Sequence, residues 1–445
     1  MASSATFKKR TASQLDSSPN STPSKVAKVH PFFSKEPVAE SSTAGSLTWL
    51  KPLGPSGSCL HAANKSPKSS TKVAAFDLDG TVIASLPFSS PPLQWHWWNA
   101  VVPAKLAGIA NDGFAIVLIS NQGGLTSALK QKDGKRTQDW KKKIALIAAA
   151  LPEVPFRLFA ATGKDNYRKP MIGMWEELEK LFAEDGVQID KTASYFVGDA
   201  AGRNYPNTTK AKDFASTDRK WALNVEIPFY TPEEYFLGEA PEPNFRLKGF
   251  HVSSLPSLPI FTPSSSPLLP NPPTQEVVLF VGYPCLGKTT FFRQYFEPAG
   301  YLHINQDTLK TRDKCVRVVH EKLTDKKSVV VDNTNRDAFT RKYYIDVARK
   351  LGVPVRCMVF TGSLELAWHN NLYRAYGLPP SVLDREPPRE LLPKVAFATF
   401  KDNFEEPELS EGISQIKKVN WVFSGTEEER KAWSRWTSQF DSKLD

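Results

Sequence analysis

The sequence predicts an α/β fold in which two domains are each built on a mainly parallel β-sheet. The chain has 445 residues, about three times a typical domain length. Hydrophobic residues make up 40% of it, which is enough for sizeable cores and argues against disorder throughout. Over residues 71–250 and 275–445, short apolar runs that end in polar or Gly residues alternate with helical stretches. This alternation is typical of parallel sheets with crossover helices.

The cysteines and the apolar runs argue against several classes of protein. The four cysteines are scattered without a CxxC spacing, which disfavours a zinc site or a disulfide scaffold and favours a reducing compartment. No apolar run approaches the roughly 18 residues of a membrane-spanning helix, so we expect no membrane partner. The N-terminal sequence MASSATFKKR also lacks the apolar core of a secretion signal.

Residues 1–70 differ in composition from the rest of the chain. They are rich in Ser, Thr, Pro and Ala and hold nine Lys+Arg against three Asp+Glu, which is +6 of the total charge of +10. We expect a disordered basic tail. Its basic clusters, Lys8–Arg10 and Lys25–Lys28, suit a bipartite nuclear import signal. The alternatives are an ordinary solvated tail and, because no acid precedes Asp16, a mitochondrial presequence.

Two aspartates follow a buried strand at the start of the first domain. Val73–Phe76 is apolar throughout, as in a strand buried on both faces, and leads directly into DLDGT at 77–81. Ligands of open α/β sheets bind at the carboxyl ends of strands, so we expect Asp77 and Asp79 to face one crevice. Their repulsion requires a cation, and Mg²⁺ prefers such oxygen ligands. One carboxylate can attack phosphorus while the other transfers protons. The alternative is a turn in which an Asp caps a helix, but the string DLDGT after a buried strand is far more specific than such a turn.

Three later segments add polar groups at the same edge of the sheet. Ala115–Ile119 is a second apolar strand, and the hydroxyl and N–H groups of Ser120 and Asn121 after it can hold phosphate oxygens. The string YRKP supplies Lys169, whose charge can neutralise phosphate. Asp199 follows a further strand and offers Mg²⁺ a third carboxylate. Alone, Ser-Asn is often a turn and YRKP a basic surface turn; together the segments indicate a phosphate site.

These strings resemble the haloacid dehalogenase superfamily of phosphatases over most of residues 71–235. The resemblance implies that Asp77 forms an aspartyl-phosphate, and that Asp79 protonates the leaving oxygen and then activates water. It further implies phosphate binding by Thr81, Ser120, Asn121 and Lys169, and Mg²⁺ binding by Asp77, Asp79 and Asp199. Many members carry a second acid soon after the last aspartate. This chain has AAGR there, so Asp213 or Asp218 is the candidate for the outer metal shell.

A break in composition separates the two domains. Seven of the twenty residues at 254–273 are Pro and five are Ser, so we assign a Pro/Ser-rich linker to 251–274. In extended polyproline form, at ~3.1 Å per residue, it could span up to roughly 60 Å. The alternative is that it lies flat against one of its neighbours, and the sequence does not decide between the two.

The second domain opens with a phosphate-binding loop. Val277–Val281 is an apolar strand that runs into GYPCLGKTT, which fits GxxxxGK[ST] ahead of a helical stretch. The backbone N–H groups of such a loop form a nest for phosphates; its lysine reaches the β- and γ-phosphates of ATP and its Thr holds Mg²⁺. The candidate nucleotide-binding residues are Gly282, Gly287, Lys288, Thr289 and Thr290. Cys285 and Leu286 are larger than the residues often seen inside such loops, and their effect stays open.

Polar residues at later strand ends are candidates for the remaining roles. Asp307 is placed to accept a proton from an attacking hydroxyl, although it could also cap the next helix. Asp332 is a carboxylate of the Walker B type, able to order Mg²⁺. Arg341, Arg374 and Arg336 are candidates to stabilise the transferred phosphoryl group, although each alone is more often a surface arginine.

The whole series of strings resembles the polynucleotide kinase 3′-phosphatase family of DNA repair enzymes over nearly all of residues 71–445. DLDGT, SNQGGL, YRKP, VGDAAGR, DFASTDRKWA, GYPCLGKTT, NQDTL and VDNTN occur in one chain in that order. The resemblance implies a haloacid dehalogenase-like (Rossmannoid) phosphatase at 71–250, followed by a P-loop NTPase-like 5′-hydroxyl kinase at 275–445. It implies Mg²⁺ and ATP as cofactors and DNA with 3′-phosphate or 5′-hydroxyl termini as the partner, whose ends become ligatable.

Two features depart from that family. Residues 1–70 are too short and too low in complexity for the forkhead-associated domain of animal members, so we expect a form without it. Gln306 stands where the family often has Arg. We expect a monomer in the nucleus, with mitochondria as a second location. The aromatic pair that ends Val26–Phe33 loosely resembles a docking peptide for a sliding clamp, a repair partner.

Two other classes of protein remain as alternatives. A small-molecule kinase/phosphatase would act on sugar phosphates or nucleosides and would not bind oligonucleotides in a salt-sensitive way. A binding protein with degenerate sites is disfavoured because every predicted site residue is present. Trp95, Trp97 and Trp98 either stack on bases or belong to the core.

Overall fold

The computed structural model describes residues 47–86, 90–125, 134–206, 209, 211–385 and 387–438. The basic clusters and the docking-peptide resemblance, at residues 8–33, lie outside the described residues. Two mainly parallel β-sheets confirm the predicted α/β class. None of the helices in the described ranges combines the length and the hydropathy that crossing a lipid bilayer requires.

The first sheet has seven strands with α-helices on both faces. Its strands are β1 (Leu47–Trp49), β2 (Cys59–Asn64), β3 (Val73–Phe76), β4 (Ala115–Asn121), β5 (Phe156–Ala161), β6 (Tyr195–Val197) and β7 (Phe229–Tyr230). Its helices are α1 (Val102–Asn111), α2 (Lys135–Ala149), α3 (Gly173–Glu184) and α4 (Thr217–Val225), with a π-helical turn at Glu233–Leu237. A 3₁₀ turn at Val252–Ser254 follows in the connecting segment.

The strand order of the first sheet places its functional edge. The order is β1-β2-β5-β4-β3-β6-β7, and the five strands from β5 to β7 are parallel. Successive residues of β3 alternate between two apolar cores, since Ala74 and Phe76 contact one and Val73 and Ala75 the other. The chain connects β3 to β4 on one side and β6 lies on its other side, so the strand order reverses at β3. Ligands of such sheets bind at this reversal.

The N-terminal boundary of the first domain differs from the prediction. The tail was predicted to extend through residue 70, but β1 and β2 belong to the sheet, and β2 pairs antiparallel with β5 over six residues. Cys59, Ala62 and Asn64 are fully buried. The prediction is wrong here because a Ser- and Pro-rich average over 70 residues hid one short run, CLHAAN, that the sheet buries.

The tryptophans that follow the DLDGT loop pack partly into the core. Trp95, Trp97 and Trp98 contact the apolar core on the α1 and α2 side of the sheet. The Trp95 and Trp97 rings meet edge to face with centroids 4.9 Å apart, and Trp98 packs on Phe236. Of the two alternatives, the structure therefore favours a packing role for these side chains.

The second sheet has six strands in the order β10-β11-β9-β12-β13-β8. These strands are β8 (Phe261–Thr262), β9 (Val277–Val281), β10 (Leu302–Ile304), β11 (Val329–Asp332), β12 (Val355–Phe360) and β13 (Gln415–Val419). The helices are α5 (Lys288–Phe291), α6 (Gln306–Leu309), α7 (Arg312–Thr324), α8 (Ala338–Lys350), α9 (Leu364–Leu372), α10 (Pro380–Leu383), α11 (Lys394–Asp402) and α12 (Glu427–Trp433). Phe292–Phe296 and Tyr373–Gly377 are π-helical, and Leu409–Glu411 is a 3₁₀ turn.

The segment predicted as a linker belongs partly to the second sheet. β8 pairs antiparallel with β13 at the sheet edge, and the other strand pairs of this sheet are parallel. The buried Lys417 ammonium donates to Pro263 O at 2.8 Å and Ser266 O at 2.9 Å, and Leu268 is buried. Of the two arrangements the sequence left open, the structure therefore has the one in which the segment lies against a neighbour.

The buried strand β2 leads to a test of the revised domain boundary. We expect Ala62→Asp to lower the unfolding temperature of the first domain, because an unpaired buried carboxylate costs roughly 3–5 kcal/mol. Ser66→Asp adds the same charge at an exposed residue and serves as the control. Thermal unfolding followed by circular dichroism measures both. Equal unfolding temperatures for the two variants would contradict the assignment of residues 59–64 to the core.

Candidate active sites

The loop after β3 carries the first site. Asp77 continues the sheet, since its N–H donates to Val197 O at 2.8 Å, and Gly80 N–H donates to Ile83 O at 2.7 Å to close the loop. Gly80 has φ +91°, and a Cβ there would lie 2.3 Å from Oδ2 of Asp199. Glycine is therefore required in DLDGT both by its backbone conformation and by the close approach of the third carboxylate.

Three carboxylates meet beside this loop. Oxygen atoms of Asp77, Asp199 and Asp218 lie within 4.8 Å of one another. A Cβ on Gly198 would lie 2.5 Å from Oδ2 of Asp218, so this glycine also makes room for the cluster. The cluster contains Asp77 and Asp199 of the predicted set and adds Asp218, one of the two candidates for the outer metal shell, while metal binding by Asp79 stays a prediction. The Asp218 carboxylate comes from the start of α4, which the fold brings beneath the strand ends.

Lys169 is the cation of this cluster. Its Nζ lies 2.5 Å from Oδ1 of Asp77 and 2.8 Å from Oδ1 of Asp218, and it donates to Ile119 O at 2.8 Å. The residue is 1% exposed, so its charge is almost wholly compensated by these three oxygens. Lys169 is thus fixed between the two carboxylates and ready to contact a group bound to Asp77.

Burial dominates the electrostatics of the first site. It raises the pKa of Asp77, with repulsion from Asp218 and Asp199 adding to it and Lys169 opposing it. It also raises the pKa of Asp199 to about 7, again with repulsion from Asp218. Burial opposes the charge of Lys169, but the attraction of Asp218 and Asp77 leaves its pKa above the ordinary value. A cation among the carboxylates would favour their ionised forms.

Asp79 has separate hydrogen-bond partners. Nε2 of Gln122 donates to its Oδ2 at 2.6 Å and to the hydroxyl of Ser120 at 3.0 Å. Burial raises the pKa of Asp79, with the hydrogen bond from Gln122 opposing the shift. A raised pKa favours the protonated carboxyl group, which suits the predicted general acid.

Three predicted phosphate ligands, Asn121, Ser120 and Thr81, have different surroundings. The amide of Asn121 accepts from the N–H of Lys169 at 2.9 Å and donates to its carbonyl at 3.1 Å. Both ends of the side-chain amide thus hold the lysine backbone, and phosphate binding by the N–H group of Asn121 stays a prediction. Ser120, 1% exposed, lies at the site as predicted. The hydroxyl of Thr81 is buried, and within the described residues it has no hydrogen-bond partner.

The residues at the first site fit a divalent metal ion. Three hard carboxylate oxygen donors converge, and their repulsion is only partly offset by one lysine. Asp213, the other candidate for the outer shell, instead accepts from Nε of Arg203 at 2.9 Å and from the N–H of Ala201 at 3.2 Å. Asp218 is therefore the acid that replaces the one missing after Asp199.

The loop after β9 forms the second site. Lys288 donates to Gly282 O at 3.2 Å and Tyr283 O at 2.6 Å inside the loop. Gly287 has φ +78°, a conformation that glycine adopts without strain, and Thr290 is exposed beyond it. The hydroxyl of Thr289 donates to Oδ2 of Asp332 at 2.6 Å. The predicted metal ligands Thr289 and Asp332 thus lie together, as a magnesium site beside a nucleotide requires.

Besides Thr289, Asp332 has a second side-chain partner that the sequence did not reveal. Nε2 of His303 lies 2.8 Å from the same Oδ2. Burial alone would raise the pKa of Asp332, but the hydrogen bonds of His303 and Thr289 hold it below its ordinary value. The His303 ring also stacks on Phe292 with centroids 4.5 Å apart, so its orientation is fixed. His303 belongs to no recognisable motif. The signal that could have identified it is its position in a strand, two residues before Asn305 and four before Asp307.

Asp307 and Arg374 lie near the phosphate-binding loop. Asn305 caps α6, as its Oδ1 accepts from the N–H of Asp307 at 2.7 Å, so the predicted capping role of Asp307 belongs to Asn305. The charge of Asp307 acts on both Lys288 and Arg374. Nη1 of Arg374 lies 3.1 Å from Sγ of Cys285, within the loop.

Arg341 does not belong to the second site. It is 0% exposed and binds Glu411 bidentately at 2.7 and 2.8 Å. It also donates to Asn335 O and Glu405 O. The prediction that it contacts phosphate is wrong, because each of these acceptors is part of the protein and the side chain joins α8 to the segment that follows α11. Arg336 lies beside Asp337 at 3.2 Å.

Comparisons with known proteins agree with this two-site arrangement. The family model described as polynucleotide kinase 3 phosphatase matches residues 72–236, and a model described as AAA domain matches 277–407. A bifunctional polynucleotide phosphatase/kinase of Schizosaccharomyces pombe is 36% identical over 376 residues, which are 83% of this chain and 84% of that protein. A protein of Acanthamoeba polyphaga mimivirus with a corresponding name is 33% identical, over 84% of this chain and 90% of its own.

Solved structures match single domains. A D,D-heptose 1,7-bisphosphate phosphatase from B. bronchiseptica, solved with magnesium and phosphate, is 19% identical with a TM-score of 0.27. The match covers 40% of this chain and 90% of that one.

The assignment of Asp218 to the carboxylate cluster can be tested by metal binding. We expect Asp218→Asn to weaken Mg²⁺ binding about tenfold or more, because a charged oxygen ligand is lost. Asp213→Asn removes a carboxylate that binds Arg203, and we expect it to leave the affinity nearly unchanged. Isothermal titration calorimetry measures both. If Asp213→Asn weakens binding as much as Asp218→Asn, the cluster is assigned wrongly.

Proposed function

The chain belongs to the family of bifunctional polynucleotide phosphatase/kinases, and we infer that its first site removes 3′-phosphates while its second phosphorylates 5′-hydroxyl ends. The assignment is carried by the buried group of Asp77, Lys169 and Asp218 at a strand end, in the same chain as a phosphate-binding loop. An enzyme with a single activity would need only one of these two sites. Removal of the 3′-phosphate and phosphorylation of the 5′-hydroxyl together make broken strands ligatable.

We propose that Asp77 is the nucleophile of the phosphatase. Its carboxylate oxygen forms a bond to phosphorus while the bond to the 3′-oxygen breaks, and Asp79 gives its proton to that leaving oxygen. Asp79, now ionised, takes a proton from water, whose oxygen attacks the phosphorus of the aspartyl-phosphate. Phosphate leaves and Asp77 is restored. The raised pKa of Asp79 favours the protonated form that the first step needs.

Lys169 and Ser120 are placed to hold the phosphoryl oxygens. The lysine charge lies against the nucleophile, so it compensates the negative charge that moves onto phosphate in the transition state. Asp77, Asp199 and Asp218 would hold Mg²⁺, which would supply further neutralisation of phosphate charge.

We propose that the second site transfers the γ-phosphate of ATP to a 5′-hydroxyl. Asp307 would accept the hydroxyl proton as the oxygen attacks phosphorus, and ADP is the leaving group. Lys288, in the phosphate-binding loop, and Arg374, which contacts Cys285 of that loop, would stabilise charge on the transferred group. Thr289 and Asp332 would hold the Mg²⁺ of the nucleotide.

The natural substrate we propose is DNA, in the nucleus. The family relationship supports a polynucleotide substrate. The basic clusters of the tail support nuclear import, with mitochondria as a second location, and the aromatic pair supports docking to a repair protein such as a sliding clamp. We propose that the chain acts as a monomer. Salt-sensitive binding of single-stranded DNA, compared with RNA of the same sequence, tests the substrate preference.

Separate inactivation of the two sites tests the proposed function. The substrate is an oligonucleotide with a 5′-hydroxyl and a 3′-phosphate, given with ATP and Mg²⁺. We expect Asp77→Asn to abolish only 3′-phosphate release, because the amide is a poor nucleophile. We expect Lys288→Ala to abolish only 5′ labelling, because the nucleotide loses its lysine contact.

Each variant is the control for the other. Loss of both activities in either folded variant would contradict two independent sites. Wild-type protein that processes neither end would contradict the function itself, and activity on sugar phosphates instead would favour a small-molecule enzyme.

Substitution of Arg374 tests the kinase site. We expect Arg374→Ala to slow turnover in the kinase reaction roughly 10²–10³-fold and to leave the phosphatase reaction unchanged, because a donor to the transferred group is lost. Arg385→Ala is the matched control, since it removes an arginine from an exposed part of the same region. Steady-state kinetics on the oligonucleotide measure both. Equal turnover rates for the two variants would contradict a role for Arg374 in the transfer.

A further inference from the structure

The loop that carries Lys169 lies at the contact between the two domains. Met171 lies two residues after Lys169, and its Cε would be 3.7 Å from a Cβ added to Gly377 of the kinase domain. Gly377 ends the π-helical segment Tyr373–Gly377, which also carries Arg374. The side chain of Met171, two residues after the phosphatase lysine, therefore lies against the kinase domain.

Asn224, at the end of α4, joins this loop to the kinase domain directly. Its Nδ2 donates to Pro170 O at 2.8 Å and to Trp436 O at 2.8 Å. Its Oδ1 accepts from the N–H of Trp436 at 2.7 Å. The side chain is 8% exposed, so its two donors and its acceptor oxygen are engaged away from water.

The segment that receives Asn224 is anchored in the kinase domain. We call residues 433–438 the C-terminal segment. The hydroxyl of Thr437 lies 2.9 Å from Nδ1 of His369, and Nε2 of the same ring lies 2.7 Å from Trp433 O. Nε1 of Trp433 donates to Oδ1 of Asn370 at 2.8 Å, and the Asn370 amide donates to Cys285 O in the phosphate-binding loop at 3.0 Å.

Contacts from the connecting segment and from the phosphatase domain also hold this segment. The Trp436 ring stacks on His251 with centroids 4.5 Å apart, and Nζ of Lys220 lies 5.4 Å from its centroid. Nζ of Lys220 also lies 3.5 Å from Ser438 O. Through Asn224, a continuous path of hydrogen bonds leads from the kinase domain to the main chain at Pro170.

We propose that Asn224 is a positioning residue of the 3′-phosphatase, which holds the Lys169–Pro170 main chain in place against the C-terminal segment of the kinase domain. The inference rests on the proposed function, in which Lys169 assists attack by Asp77. Asn121 fixes the lysine main chain from one side and Asn224 fixes the next carbonyl from the other. A shift of this main chain moves Nζ, which has to stay between Asp77 and Asp218.

The chemistry of Lys169 determines which kinetic constant should change. Its ammonium contacts the nucleophile, so displacement weakens stabilisation of the transition state more than binding of the oligonucleotide. We therefore expect Asn224→Ala to lower the phosphatase kcat about tenfold, with the phosphatase KM and both kinase constants nearly unchanged. Leu223→Ala, which changes a 51% exposed neighbour on the same helix, is the control and should match wild type.

Asn224→Asp provides a second variant of nearly the same shape. It lacks the donors to Pro170 O and Trp436 O, so we expect a loss of phosphatase kcat similar to that of Asn224→Ala. Thermal unfolding verifies that each variant is folded. If either folded Asn224 variant releases phosphate with the wild-type kcat, the proposal is overturned.

A cross-domain variant tests the role of the C-terminal segment. Thr437→Val removes the hydroxyl that bonds to His369 and leaves the phosphatase domain intact. We expect it to lower phosphatase kcat about two- to threefold in the wild-type chain and to have no further effect together with Asn224→Ala. An unchanged kcat for Thr437→Val, or losses that multiply in the double variant, would overturn the link to the kinase domain. Wild-type protein without 3′-phosphatase activity would instead refute the proposed function.

Discussion

The mutual repulsion of three carboxylates, two of them buried and one partly exposed, is the constraint on which the first domain depends. Asp77, Asp199 and Asp218 lie within 4.8 Å of one another, and burial and repulsion raise the pKa values of Asp77 and Asp199. Removing charges from water costs several kcal/mol each unless they are paired. Lys169 offsets part of that cost, and a metal ion would offset more. The precision of the site therefore depends on how firmly the fold holds the lysine.

The surroundings of Lys169 show how that position is maintained. Asn121 at the end of β4 binds its main chain, Asn224 binds the following carbonyl, and two glycines let the carboxylates approach. The kinase domain contributes through its C-terminal segment, while residues 261–262 of the connecting segment extend the kinase sheet. The covalent connection and the contact at Asn224 thus tie each domain to the other. This gives a physical reason for keeping two activities with different chemistry in one chain.

Local patterns were sufficient to predict the sheets and the groups at their strand ends, because a buried strand followed by polar residues has few other meanings. Asp77 and Asp332 were predicted in this way, Lys288 from the sequence of its loop, and Lys169 from YRKP together with the other segments. Patterns failed where a role depends on a distant partner. Arg341 has the same local signal as Arg374, but Glu411, which is seventy residues away, engages it. The sequence named Asp218 only as one of two candidates and did not reveal Asn224, because the positions of both depend on the packing of α4. β2 was hidden by the composition of its neighbours.

Covalent phosphorylation of Asp77 is the central claim about the first site. Rapid quenching of the wild-type protein during turnover of a 3′-phosphorylated oligonucleotide, followed by mass-spectrometric mapping, tests it most directly. We expect a phosphoryl group on the peptide that contains Asp77, and its disappearance once the substrate is consumed. Phosphate release without any phosphorylated Asp77, or with the phosphoryl group on another residue, would contradict covalent catalysis by Asp77.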